Sequence, residues 1–306
     1  MRRSIEILEV GPRDGLQLES VFVPTETKIE LIRRLDSAGL KRIEAVSFVS
    51  PGKVPQMADA EAVLAGSTRR EGAALTGLIL NRRGLDRAIA AGCREVGMVV
   101  VASDSFSRRN QGMGTEDSID AWLEIARAAQ HAGLRAQVTI AAAFGCPFEG
   151  EVPVPRVLSI AARLAAGRPT EICFADTIGV AVPTQVGTLI TATRRLLPKV
   201  ALRAHFHNTR NTGYANAHAA IDAGVQTLDA SIGGIGGCPF APGATGNIAT
   251  EDLVYQLERG GISTGLSIPS LIDTATWLER VLGRPVPGLL AKAGTFPRPT
   301  TASPVA

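Results

Sequence analysis

Short apolar runs alternate with amphipathic stretches along the whole chain. The runs Ile5–Val10, Arg42–Phe48, Ala73–Leu80, Glu95–Ala102, Ala136–Ala143, Glu171–Phe174, Val200–Phe206 and Thr227–Ile232 read as strands. They are too short for helices and too continuously apolar for half-exposed strands, as in parallel sheets covered on both faces. Helical periodicity fills the gaps at Thr25–Ala38, Pro55–Ala65, Gly84–Ala91, Thr115–Ala132, Pro153–Ala166, Pro183–Leu197, Asn211–Ala223 and Ala249–Glu258. Several of these open on Thr, Asp or Pro and end at Gly39, Gly92, Gly133 or Gly224, the start and stop chemistry of helices. Repeated helix–Gly–strand junctions are the mark of βαβ units, whose right-handed crossovers make a parallel sheet.

Eight such units predict an α/β fold of the TIM (β/α)8 barrel type, for which ~250 residues is usual. A doubly wound open sheet is the alternative, but the first strand runs into Gly-Pro-Arg-Asp-Gly without a Gly-x-Gly-x-x-Gly turn. A last helix, Ser270–Leu282, adds a short C-terminal extension. The expected organisation is one catalytic domain over residues 1–284 and a flexible tail over 285–306, which holds five prolines.

Composition narrows the function classes. Apolar residues make up 45% of the 306 and aromatics 4%, so aliphatic side chains must build the core. A net charge of +3, with no basic block, argues against a nucleic-acid partner. No apolar run approaches the ~18 residues that cross a bilayer. The N-terminus enters an apolar alternation at once, leaving no room for a signal or transit peptide, so a cytoplasmic protein is expected. The four cysteines, Cys93, Cys146, Cys173 and Cys238, form no Cys-x-x-Cys pair and are expected to be reduced. Cys93 and Cys173 read as core thiols, and Cys146 as either core or site.

The candidate chemistry lies at the carboxyl ends of the strands. Residues Gly233–Asn247 include six glycines and one thiol, Cys238, between an apolar run and a helical one. That composition gives a loop built for close backbone approach to a ligand. His205 and His207 share a strand face at spacing i, i+2, which suits one metal ion or two partly buried polar residues. Asp14 follows the first strand, a neighbour of strands seven and eight across a barrel closure. Asn247 is either a helix N-cap or an oxygen ligand. Two nitrogens with two or more oxygens suit Mg2+ or Mn2+.

Glu44 sits inside an apolar strand, where pairing with Arg13 would offset the cost of burying it. Asp176 is a candidate for the site or for a turn. Glu251 and Asp252 lie in a first helical turn, where acids complement the helix dipole. Arg108 and Arg109, expected on a loop, are candidates for phosphate contacts.

Taken together, Glu9-Val-Gly-Pro-Arg-Asp-Gly-Leu-Gln17, Ser47-Phe-Val-Ser-Pro51, Val54-Pro-Gln-Met57, Gly145-Cys-Pro-Phe-Glu-Gly150, Asp176-Thr-Ile-Gly179, His205-Phe-His207 and the segment Gly236–Tyr255 resemble the 3-hydroxy-3-methylglutaryl-CoA lyases of the metal-dependent lyase and Claisen-condensing superfamily. The resemblance spans nearly the whole chain. It implies a barrel that cleaves 3-hydroxy-3-methylglutaryl-CoA into acetyl-CoA and acetoacetate, an acyl-CoA partner, a homodimer and a place in leucine breakdown. It further implies Asp14, His205, His207 and Asn247 as metal ligands. Arg13 would stabilise the enolate, Cys238 would handle a proton, and Glu44 and Asp176 would surround the pocket; Glu251 is a further candidate near the pocket on its position alone. Asp14 or His205 would take the proton of the substrate hydroxyl.

Three positions depart from the family pattern. Asn208 stands where many members have aspartate, Leu18 where they have a polar residue, and Ser20 where they have lysine. The expected reaction type is therefore firmer than the acyl group, and another 3-hydroxyacyl-CoA stays open. A condensing synthase of the isopropylmalate or homocitrate kind shares Arg-Asp-Gly, His-x-His and the terminal Gly-Asn, but would carry a Gly-Glu-Arg-like run at Gly237-Cys-Pro-Phe240. A non-catalytic barrel that binds an acyl-CoA or a partner is the other alternative.

Overall fold

Eight parallel strands close on themselves in the computed structural model of the chain, which describes residues 3–67, 72–237 and 246–297. They are β1 (Glu6–Glu9), β2 (Arg42–Ser47), β3 (Ala74–Ile79), β4 (Glu95–Val101), β5 (Arg135–Ala141), β6 (Glu171–Asp176), β7 (Ala201–Phe206) and β8 (Thr227–Ala230). β8 pairs with both β7 and β1, so the barrel seam brings the first strand beside the last. The architecture is the expected TIM barrel.

The elements follow from the sequence. β4 reads EVGMVVV and is buried almost throughout, a β-branched strand covered on both faces. The helix α5 (Thr115–His131) buries Ile119, Trp122, Ile125, Ala126 and Ala129, one stripe at helical spacing. Trp122 also donates from Nε1 to the Leu164 carbonyl at 2.9 Å, which ties α5 to α6 (Val154–Ala165). Helices α7 (Pro183–Leu196), α8 (Gly213–Ala223), α9 (Thr250–Arg259) and α10 (Ile268–Leu282) continue the outer ring past β6, β7 and β8.

The structure corrects several boundaries. β6 continues two residues past Phe174 to Asp176, and β8 stops at Ala230, with a tight 3-10 turn at Ile232–Gly234. Pro55–Met57 is a separate 3-10 turn, and the helix α2 (Ala60–Ser67) begins only at Ala60. Residues Asp104–Gln111 form a helix that the sparse apolar pattern concealed; Arg108 and Arg109 lie on it, not on a loop. Inside the Gly145–Gly150 motif, Gly145–Cys146 and Gly150–Glu151 pair as a short antiparallel hairpin.

Packing continues past residue 284. Val286 is buried, the Gly288 amide donates to the Gly233 carbonyl, and the Leu289 and Leu290 amides donate to Asp252. The segment 286–290 thus packs against the barrel beyond the expected boundary at residue 284.

Candidate active site

The turn after β1 sets the site. Gly11–Gly15 coils so tightly that the amides of Arg13, Asp14 and Gly15 all point at the Val10 carbonyl, with Asp14 at 2.8 Å. Pro12 holds its φ without needing a donor there. Arg13 and Asp14 are thereby carried over the end of the barrel. Arg13 donates from Nη1 to Asp14 Oδ1 at 2.8 Å and from Nε to Glu44, which rises from β2. The predicted Arg13–Glu44 pairing is present.

At the end of β7, His205 and His207 lie with ring centroids 5.2 Å apart. One ligand atom from each of Asp14, His205 and His207 falls within 4.8 Å of the others. Asn247 is drawn in by an antiparallel bridge to His207 and donates from Nδ2 to Asp14 Oδ2 at 2.9 Å. Gly236, at φ +119°, passes so close that a Cβ there would sit 2.6 Å from that nitrogen. The residues expected as ligands from four places in the sequence are brought together at one rim of the barrel.

The electrostatics favour a cation. Burial pushes the Asp14 carboxyl up, but Arg13, His205, His207 and the Asn247 amide outweigh it and hold the group below the usual carboxylate range. Burial, reinforced by His205, pushes His207 down to about 4, so its ring is neutral near pH 7 and keeps a lone pair. His207 Nδ1 is buried with no hydrogen-bond partner among the described residues, although buried polar nitrogens are nearly always satisfied. Below the rim, Arg42 bridges Glu95 and Glu171, and Arg203 pairs with Glu171 and Asp229. Asp14, Glu44, Glu95, Glu171 and Asp229 outnumber Arg13, Arg42 and Arg203 by two, an excess that falls to one when His205, whose pKa Asp229 and Asp14 hold above the ordinary imidazole value against burial, carries its second proton. The half-exposed floor residues Glu6 and Arg135 cancel each other. A donor set of imidazole and carboxylate, an orphaned imidazole nitrogen and this charge excess all fit a divalent ion.

Other predicted residues lie further out. Asp176 accepts from the Val180 and Ala181 amides at 2.8 and 3.0 Å, so its carboxylate shapes the turn after β6 rather than bonding to the cluster. Glu251 accepts from the Gly233 amide at 2.9 Å, behind the glycine loop. Arg108 pairs with Asp104, and Arg109 stacks over the Phe148 ring with its guanidinium carbon 4.2 Å from the centroid. Both arginines are exposed on their helix. Cys93, Cys146 and Cys173 are buried and free. Cys238 lies outside the described residues.

Sequence reasoning missed two groups. Glu9 points outward from β1 and accepts from the Gly11 and Ile232 amides and the Thr250 hydroxyl, which pins the turn after β1 to the one after β8. Arg42, Glu95, Glu171, Arg203 and Asp229 form the ion-pair ladder inside the barrel. The available signal was charge within buried strands: Arg203 shares its face with His205 and His207, and Asp229 interrupts the apolar run of β8.

The family model described as HMGL-like matches residues 4–278. The (R)-citramalyl-CoA lyase of Chloroflexus aurantiacus is 44% identical over 98% of this chain and 98% of its own length. The hydroxymethylglutaryl-CoA lyase of Pseudomonas mevalonii is 41% identical over 92% of this chain and 93% of that protein. An HMG-CoA lyase from Acinetobacter baumannii, solved with coenzyme A and 3-methylmalate, superposes with a TM-score of 0.91 at 40% identity, covering 99% of this chain and 98% of that one. None of the described helices is long and apolar enough to cross a membrane.

Proposed function

The chain belongs to the HMGL-like family, and from that premise we propose that it is a divalent-metal-dependent carbon–carbon lyase cleaving 3-hydroxy-3-methylglutaryl-CoA into acetyl-CoA and acetoacetate. The observation that carries the reading is the meeting of Asp14, His205 and His207 within 4.8 Å, with Arg13 hydrogen-bonded to Asp14.

Retro-Claisen cleavage removes the proton of the C3 hydroxyl, breaks the C2–C3 bond and leaves the enolate of acetyl-CoA, which is protonated at C2. Asp14, His205 and His207 would hold the ion, with Asn247 positioning Asp14 or adding an oxygen. A bound Mg2+ or Mn2+ supplies Lewis acidity that lowers the pKa of a chelated hydroxyl. Asp14 and His205 are the candidates to receive the hydroxyl proton; His205 can do so only through Nε2, the nitrogen that would otherwise bind the ion, whereas Asp14 has a second carboxylate oxygen. Arg13, clamped between Glu44 and Asp14, offers a fixed positive charge to the thioester oxygen as the enolate forms. Cys238 donates the proton to C2, and the glycine loop keeps water out. Glu251 and Glu9 act behind that loop as its anchors. Arg108 and Arg109 stay the candidates for the CoA phosphates. The enzyme works as a cytoplasmic homodimer in leucine breakdown.

A second reading keeps the chemistry and changes the acyl group. The 44% identity to a citramalyl-CoA lyase favours it, as do exposed Leu18 and Ser20 on the rim segment just past Asp14. Cleavage of citramalyl-CoA by the same steps gives acetyl-CoA and pyruvate. The test is to incubate the purified protein with each thioester and Mg2+, and to identify the released acid. Acetoacetate supports the first reading and pyruvate alone the second; release of neither, with CoA esters intact, refutes both.

A further inference from the structure

We propose that Asp229 is a positioning residue for His205, fixing the tautomer and direction of its ring through an ion-pair ladder that runs down the inside of the barrel. The proposal rests on the metal-dependent reading of the site. β7 and β8 lie in register with Asp229 directly beside His205, and both side chains turn into the lumen. Asp229 Oδ2 lies 3.2 Å from His205 Nδ1. Its other oxygen, Oδ1, accepts from Arg203 Nη1 at 2.9 Å.

Arg203 is itself braced. Its Nη2 donates to Thr139 Oγ1 at 3.2 Å, and its Nε lies 3.3 Å from Glu171 Oε1. Glu171 in turn meets Arg42, which also holds Glu95. Arg42, Glu95, Glu171, Arg203 and Asp229 are all nearly excluded from solvent. Such a ladder has little freedom to rearrange, because moving any member leaves a buried charge unpaired.

The consequence for His205 follows from its donor inventory. A neutral imidazole carries one N–H and one lone pair, and an ionised carboxylate only accepts. The hydrogen bond to Asp229 therefore puts the proton on Nδ1 and leaves the lone pair on Nε2, free for an ion held with Asp14 and His207. A carboxylate behind a ligating histidine commonly has this effect, and its loss costs metal affinity. Arg203 adds a directional element. In an Asp229→Asn variant the guanidinium holds the amide oxygen, so the amide nitrogen faces His205 and donates to Nδ1. That reverses the tautomer and places a proton on the nitrogen that should bind metal.

The test uses nitrogen-15 histidine NMR on the full chain, with His205→Gln for assignment, and Mn2+ calorimetry. Wild-type His205 is expected to carry its proton on Nδ1 with Mg2+ bound and, without metal, at a pH where the ring is neutral. D229N is expected to switch the proton to Nε2 and to bind Mn2+ about 10–100-fold more weakly. A wild-type ring protonated on Nε2 would overturn the proposal. So would a D229N protein that melts lower yet binds Mn2+ with wild-type affinity, the signature of a merely structural role. If D229N does not fold, the wild-type tautomer decides. If the wild type binds no Mn2+ at all, the metal reading fails, while the tautomer still reports on Asp229.

Discussion

Asn247 is stapled to Asp14 across the barrel seam: its Nδ2 lies 2.9 Å from Asp14 Oδ2 and 3.1 Å from the Ile235 carbonyl. Both amide hydrogens are thereby used, so the side chain cannot turn without stranding a buried donor. These hydrogen bonds tie the backbone at Ile235 and Asn247 to the turn leaving β1. Asn247→Ala is expected to loosen both, weakening Mn2+ binding by about 10–100-fold. Calorimetric titration of wild type and variant checks it.

Gly236 should behave as part of the same unit. Its φ of +119° and the 2.6 Å approach of a would-be Cβ to Asn247 Nδ2 leave no place for a side chain. Gly236→Ala is expected to reproduce the metal-binding loss of Asn247→Ala. Because the two act on one contact, the double variant should be little worse than either single one, which a double-mutant cycle measures.

Arg13 separates chemistry from metal binding. Arg13→Met removes the positive charge offered to the enolate and leaves the three-residue cluster. We expect turnover to fall by about 10²–10³ while Mn2+ affinity is kept or tightened, since a competing cation has gone. Steady-state rates beside calorimetry test this. An Arg13→Met protein that loses its metal would assign the arginine a scaffolding role.

Stability should depend on pH through acids behind the loop. Burial raises Glu9 to about 7 and Glu251 to about 8, against an ordinary value of 4.5. Between 4.5 and those values the folded state holds protons that the unfolded chain has released. The contribution of these two acids to stability is therefore fully present below about 4.5 and is lost as pH rises through 7 and 8. Glu251→Gln keeps an acceptor for the Gly233 amide but has no proton to lose. Its melting temperature should fall less steeply than that of the wild type from pH 5 to 8, and should exceed it at pH 8.5. Parallel melting curves across that range decide.

Cys238 is the residue whose role rests most on resemblance. Cys238→Ser should lose turnover and keep its Mn2+ affinity, because a serine hydroxyl is a far weaker acid than a thiol. Unchanged turnover would remove Cys238 from the reaction.

Much of this architecture is legible in the sequence, for physical reasons. Strand-length apolar runs such as Glu95–Ala102, separated by glycine-terminated helices, have few ways to pack other than a barrel. Arg13, Asp14, His205 and His207 could be collected because each stands at or just past a strand end, where barrel topology fixes the neighbours, and Asn247 because it closes the glycine-rich loop that returns to the same rim. What stayed hidden depends on which way a side chain turns. Asp176 and Glu251 sit at promising positions but face backbone amides. Asp229 and Arg203 look like interruptions of apolar strands until register sets one beside His205 and the other beneath it. The Asp104–Gln111 helix has too few apolar residues for periodicity to reveal it.

The central claim is that the Asp14, His205 and His207 cluster holds the ion on which the lyase reaction depends. It is tested most directly by stripping the enzyme with chelator, adding back Mn2+ in steps, and following bound metal and acetyl-CoA release together in wild type and His207→Ala. The account predicts that activity vanishes on stripping and returns in proportion to one bound ion per chain, and that His207→Ala shows neither tight binding nor recovery. Full activity in the stripped enzyme, or unimpaired binding by His207→Ala, would contradict it.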